Sequence, residues 1–225
     1  MEEENKQPQR VDLQKFRELL QRRRPIKERF KIDKYTEDVP AMLKECYRLE
    51  VLDRGQTFKD DQATDEHISK AAKWLVGRYK TGLMLFGTVG NGKTTLSAAI
   101  SRLINLLYES AYYDERKSVR TVSALELATI AKDDPERFNT LKKTELLVID
   151  DVGVEPAVVK NYGNEISPLT ELMYFRYDRL FWTVITTNLD DDDFYKRYGP
   201  RLADRFTEMF DKIPFENNTY RRFNK

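Results

Sequence analysis

Residues 85–95 read "LFGTVGNGKTT", and within them Gly87-Thr88-Val89-Gly90-Asn91-Gly92-Lys93-Thr94 fits the pattern G-x-x-x-x-G-K-[ST]. The spacing follows from the chemistry of phosphate. Glycines let the backbone turn tightly and point successive N–H groups inward, where they bind phosphate oxygens. Lys93 is placed for the β and γ phosphates, and the Thr94 hydroxyl for Mg²⁺. The context agrees with the pattern. An apolar run, Leu83–Phe86, precedes the loop, and Leu96, Ala99, Ile100, Leu103, Leu106 and Leu107 follow at helical spacing. The helix that starts there adds the positive end of its dipole. The stretch predicts a nucleoside triphosphate site formed by Gly87 through Thr95.

Outward from the loop, further short apolar runs occur at Val119–Val122, Leu146–Ile149 and Trp182–Thr186. Helix-length intervals at about 93–113, 123–141, 164–180 and 199–210 separate or follow them. Strands alternating with helices predict a parallel sheet covered on both faces, hence an α/β fold. Upstream, helical patterns cover about 40–53 and 63–80, separated by Gly55.

Composition narrows the setting. The chain has 225 residues, 40% hydrophobic and 34% charged, enough for one ordinary domain with an appendage. We place the division at residue 60: a helical partner-docking region over 1–60 and an ATPase domain over 61–225. A single cysteine, Cys46, excludes an internal disulfide, and a single histidine, His67, excludes a Cys/His zinc site. No apolar run is long enough to span a membrane, and the expected location is cytoplasmic. The net charge of +1 gives no global attraction to nucleic acid, so DNA binding must rest on a local patch.

Two later segments carry groups that can act on a triphosphate. "ELLVIDDVG" at 145–153 ends a buried strand in Asp150-Asp151. Asp150 is suited to hold Mg²⁺ through water, and Asp151 to polarise an attacking water. A second acid at this point favours hydrolysis over transfer to a substrate hydroxyl. "FWTVITTNLD" ends in Thr186-Thr187-Asn188, whose amide can orient that water or sense loss of the γ-phosphate. In "YGPRLADRFTEMF" at 198–210, a helix presents Arg201 and Arg205 on one face, four residues apart. That pair reads either as a salt-bridged surface or as an arginine finger for a neighbouring subunit.

The ordered set "GTVGNGKTT", "LLVIDD", "ITTNL", "YGPRLADR" resembles AAA+ ATPases of the bacterial and phage DnaC/DnaI helicase-loader group, with the IstB transposition ATPases as relatives. The resemblance covers roughly residues 80–215. It implies a P-loop three-layer αβα sandwich whose parallel five-stranded sheet has the order 5-1-4-3-2. It also implies ATP and Mg²⁺ binding, oligomerisation through nucleotide-bridged interfaces, contact with single-stranded DNA, and delivery of a replicative DNA helicase. Lys93, Thr94, Asp150, Asp151 and Asn188 match the family's phosphate, magnesium, water-activating and first-sensor positions. Arg205 matches the finger, with Arg201 as the competing assignment. The family's pore-side elements fall on 123–143 and 154–166, where Lys132, Lys142, Lys143, Lys160 and Tyr162 are candidates for DNA contact. The short stretch after Arg205 implies no C-terminal lid domain, with Arg221 as a candidate second sensor.

The N-terminal segment 10–31 carries nine basic and three acidic residues. Leu13, Phe16, Leu19 and Leu20 fall at helical spacing there, predicting a basic amphipathic helix that falters near Pro25. It reads as a helix resting on the main domain or as a docking arm for a partner or anionic surface. Competing functions are a transposition helper of the IstB kind, a P-loop kinase for a small metabolite, and an adaptor whose ATP site is structural.

Overall fold

The computed structural model describes residues 11–23, 29–77, 79–110, 112–161, 164–217 and 219–220. Five parallel strands form its centre: β1 (Gly82–Gly87), β2 (Arg120–Ser123), β3 (Leu147–Val152), β6 (Thr183–Thr187) and β7 (Phe210–Phe215). Their order in the sheet is β2-β3-β6-β1-β7. Counted as the five strands of this sheet, that is the expected 5-1-4-3-2. A separate antiparallel pair, β4 (Val159–Asn161) with β5 (Asn164–Ile166), follows β3.

Side-chain alternation makes the layers. Leu83, Leu85, Val148 and Val184 pack on one face, with residues of α2 (Val39–Asp53), α3 (Gln62–Val76) and α4 (Lys93–Glu109). Met84, Leu147, Ile149 and Ile185 pack on the other. There they meet α5 (Ala124–Asp133), α6 (Pro135–Lys143), α7 (Pro168–Arg179), α8 (Asp191–Tyr198) and α9 (Pro200–Met209). Strands buried on both faces read as continuous apolar runs, which is why β1, β3 and β6 are visible in the sequence, whereas β2, an edge strand with Arg120 and Thr121 exposed, is marked only by Val119 and Val122. The fifth, "FDKIPF", has acidic, basic and proline positions and sits at the sheet edge, where a proline costs no ladder hydrogen bond.

Local chemistry explains the other departures from expectation. The interval 123–141 is two helices because Pro135 starts α6, with Asp134 accepting the Arg137 N–H at 2.9 Å. Helix α8 was not foreseen, although Asp190 caps it and Lys196 and Arg197 lie in its last turn. The first core also holds Ile32, Val39, Leu43, Cys46 and Tyr47 beside Leu96 and Ile100. One core therefore runs across residue 60. Helix α1 (Leu13–Arg23) differs: Leu13, Phe16, Leu19 and Leu20 are all exposed, and Asp12 caps it through the Gln14 and Lys15 N–H groups. Pro25 lies outside the described residues.

Beneath the sheet, the fully buried Arg176 donates to the carbonyls of Thr144, Glu145 and Trp182 and to the Thr183 hydroxyl. These bonds pin the starts of β3 and β6 side by side. Burial lowers its pKa to about 9. The C-terminal ends of β1, β3 and β6, parallel neighbours in the sheet, lie side by side on one edge.

Candidate nucleotide-binding site

At that edge lies a cavity of about 400 Å³, lined by Val89 through Thr95 and by Asp151 and Asn188. Residues 88–92 connect β1 to α4, and the glycines at either end of this turn cannot be replaced without strain. Gly87 has φ +139° and Gly92 φ +106°. A side chain at Gly92 would put its Cβ 2.5 Å from the Tyr47 hydroxyl, and one at Gly87 would strike the Phe215 carbonyl.

Lys93 is 5% exposed. Its ammonium donates to the Gly87 carbonyl at 2.8 Å, the Thr88 carbonyl at 2.5 Å and Asn91 Oδ1 at 3.1 Å. The charge is thus held by the loop's own oxygens, at the mouth of its own concavity. Phosphate oxygens are stronger acceptors for an ammonium than peptide carbonyls are, so the lysine can exchange partners without moving its backbone.

Across the loop, the Thr94 hydroxyl donates to Asp150 Oδ1 at 3.0 Å. The same oxygen accepts from the Thr186 hydroxyl at 2.6 Å, and Thr186 Oγ1 accepts the Asp151 N–H at 2.8 Å. The register of β3 against β6 shifts between Ile149 and Val152, and Asp151 takes a left-handed φ of +56°. This irregularity turns the two successive acids to different tasks. Asp150 is directed at Thr94, while Asp151 lines the cavity with Asn188. Thr187, also buried, donates to the Val152 carbonyl at 2.6 Å and fixes the far side of the same irregularity. Behind it, the buried Glu155 accepts the Gly153 N–H at 2.8 Å and the Tyr198 hydroxyl at 2.5 Å. Burial first, then that bond to Glu155, raises the Tyr198 pKa.

The donor set fits Mg²⁺. Thr94 Oγ1 and Asp150 Oδ1 are hard oxygens 3.0 Å apart, and Mg²⁺ is commonly held by one or two protein oxygens plus phosphates and water. Among the described residues no group of three or more His, Cys, Asp or Glu side chains forms an all-protein metal cage.

The structure therefore brings together the expected Gly87–Thr95 loop, Asp150, Asp151 and Asn188. Arg205 is not among the residues lining this cavity. Its guanidinium lies 4.7 Å above the Tyr174 ring and 5.4 Å above Tyr177, and it donates to the Arg201 carbonyl at 3.2 Å. Arg201 is exposed. Of the lysines weighed for DNA, Lys142 is bonded to Glu171 at 2.6 Å and covers the Phe138 ring. Lys132 lies 3.9 Å from Asp133, and Lys160 lies 4.0 Å from Glu165 and is widely exposed. Tyr162 and Arg221 lie outside the described residues.

Sequence reasoning missed the opposite wall. Tyr47, Val51, Arg54, Phe58 and Tyr220 line the cavity, and Arg54 donates to the Thr95 hydroxyl at 3.0 Å. Nothing in their spacing marks them. The roles of Thr186 and Thr187 had a visible trace: two polar residues end an apolar strand, directly before Asn188.

Fold and loop together define an α/β protein of the P-loop kind, with the phosphate loop between β1 and α4 of a parallel five-stranded sheet. No protein-family model matches the chain, and no curated protein matches it in sequence. Solved structures do match. The crystal structure of the DnaC helicase loader aligns at TM-score 0.54 and 20% identity, over 76% of this chain and 98% of that one. DnaI aligns at TM-score 0.55 and 22% identity, over 78% and 92%. A replication initiator, DnaA, bound to AMPPCP and single-stranded DNA, aligns at TM-score 0.52 and 19% identity, over 72% and 49%. At these identities the likeness is one of fold.

Proposed function

We infer that this chain is an ATP-hydrolysing replication switch of the DnaC/DnaI helicase-loader kind. It assembles on single-stranded DNA, and in its assembled form it holds or delivers a replicative helicase. The observation that carries the reading is the pairing of Thr94 with Asp150 beneath a cavity into which Asp151 and Asn188 also face. A phosphate loop alone serves kinases as well. Here the acid and the amide stand at neighbouring strand ends, where a water in line with the γ-phosphate would sit.

In this reading the loop amides and Lys93 bind the triphosphate, and Thr94 with Asp150 holds Mg²⁺, which neutralises phosphate charge when bound. Asp151 orients a water and accepts its proton, while Asn188 fixes the water's other side. The chain's own Arg205 lies outside its cavity, which supports an arginine finger contributed between subunits. ATP then favours the assembled form through contacts across the subunit boundary, and hydrolysis weakens them. The single-stranded DNA bound to the DnaA structure of similar fold supports DNA contact on this architecture. The exposed apolar stripe of α1 is the segment we assign to the helicase. Among the described residues no helix is long and apolar enough to cross a membrane, which fits the cytoplasmic setting we propose.

The test is ATP turnover by the purified full chain with and without single-stranded DNA. Stimulation by the DNA, and none by nucleosides or sugars, is expected. Turnover that rises with a nucleoside or sugar and phosphorylates it would replace this reading with a kinase.

A further inference from the structure

The end of β7 and the described residues after it, 216–217 and 219–220, lie against the outside of the phosphate loop. The Phe215 carbonyl accepts from Asn91 Nδ2 at 2.7 Å, and Asn217 Nδ2 donates to the Asn91 carbonyl at 3.2 Å. The Tyr220 N–H donates to the Gly90 carbonyl at 2.8 Å, with the Thr219 hydroxyl 3.4 Å from the same oxygen. The far end is pinned as well. The Tyr220 hydroxyl lies 2.9 and 3.1 Å from the two Asp61 carboxylate oxygens and 3.0 Å from Thr64 Oγ1. Asp61 is itself held in place as the N-cap of α3, accepting the Thr64 N–H at 2.8 Å.

We propose that this strap, residues 215–217 with 219–220, is a positioning element of the nucleotide site: it holds the phosphate loop in its binding shape from behind. The argument is geometric. In a planar trans peptide, the carbonyl of one residue and the N–H of the next point in opposite directions. Bonds from the strap to the Gly90 and Asn91 carbonyls therefore turn the Asn91 and Gly92 N–H groups away from the strap, toward the side that meets phosphate. Gly90 and Gly92 both have positive φ, +84° and +106°, so this segment is the one whose peptides can flip most freely. A loop free to flip has to be ordered at each binding event, and a strap that has already ordered it removes that cost. Asn217 and Asp61 carry the effect without lining the cavity, whereas Tyr220 lines it and also closes one wall.

The proposal rests on the reading of this cavity as a triphosphate site, and the experiment separates the two. Calorimetry on the full chain measures binding of ATP and of inorganic tripolyphosphate, which engages only the phosphate loop. Asn217→Ala and Tyr220→Phe are each expected to weaken both probes by about threefold to tenfold, the range for losing one hydrogen bond. Asp61→Ser keeps a helix cap but cannot reach the tyrosine. Combined with Tyr220→Phe it should be no worse than either alone, because both remove one link. Unchanged affinity for both probes with a lowered Tm would make the strap merely structural and overturn the proposal. Weaker ATP but unchanged tripolyphosphate binding would limit it to the wall, and also overturn it. If the wild type binds neither probe, or Lys93→Ala binds both as tightly as wild type, the triphosphate reading itself falls and takes the strap with it.

Discussion

At the ends of β1, β3 and β6, Lys93, Thr94, Asp150 and Thr186 engage the loop or one another within 3.1 Å, and Lys93 and Thr186 are buried. On α9 the arginines are arranged differently. Arg201 is exposed, and the half-buried Arg205 lies over two tyrosine rings, a contact worth about 0.5–2 kcal/mol. The first region fixes the groups to which the proposed function gives the chemistry. The second holds a guanidinium against two aromatic rings and the Arg201 carbonyl, away from the chain's own cavity. Under the proposed function, a site that needs both would take one half from each copy of the chain.

The strongest way to break the contrast is Lys93→Ala. It removes a buried charge with three oxygen partners in the loop, and ATP binding should fall by at least about 100-fold, since charge-assisted bonds contribute about 1.5–3 kcal/mol each. Titration with a fluorescent ATP analogue reads this directly, and wild-type affinity would remove the fixed half of the comparison. The other half is tested by Arg205→Ala, expected to keep ATP binding and lose about 1,000-fold in turnover, the lower end for an arginine finger. Mixing the two inactive variants should restore part of the activity, because some boundaries then pair an intact loop with an intact arginine. No recovery at any ratio would place Arg205 outside the reaction.

What could be read in advance follows the same division. The loop, the apolar runs of β1, β3 and β6, and the acids at 150–151 are local patterns, because a buried parallel strand is continuous in sequence and the loop's function depends on spacing alone. Strand β7 escaped because an edge strand can carry Asp211, Lys212 and Pro214 in its outer positions. Tyr47, Arg54 and Tyr220 escaped for another reason. They reach the cavity from α2, from just beyond its end and from the chain after β7, and only tertiary packing brings those segments to one wall. The helical breadth of 123–141 concealed a break at Asp134-Pro135 that the proline had announced. Arg205 was visible as a residue, but its stacking on Tyr174 and Tyr177 depends on how α7 meets α9.

Within the fixed half, Asp151→Asn sharpens the distinction between binding and chemistry. It keeps the size of the side chain but removes the base, so ATP should still bind while turnover drops roughly 100-fold. Steady-state assays beside equilibrium binding separate the two quantities. Unchanged turnover would take the water-activating role from Asp151 and leave the irregularity in β3 without a catalytic purpose.

Thr186→Val is a finer probe, because Thr186 is not itself among the residues that line the cavity and reaches it only through the acids. Its hydroxyl accepts the Asp151 N–H and donates to Asp150, so one oxygen sets the direction of both acids. Valine keeps the branched shape that suits the buried strand and deletes only that oxygen. The Asp151 N–H is then left without this acceptor in a left-handed turn, at a stability cost of about 1–3 kcal/mol. Small displacement of a reacting group slows chemistry more than it weakens binding, so kcat should fall about tenfold while the KM for ATP stays within about twofold. Thr186→Ser, which restores the oxygen without the methyl, should recover most of the rate. If serine and valine behave alike, the effect belongs to packing in the strand, and the hydroxyl does not aim the acids.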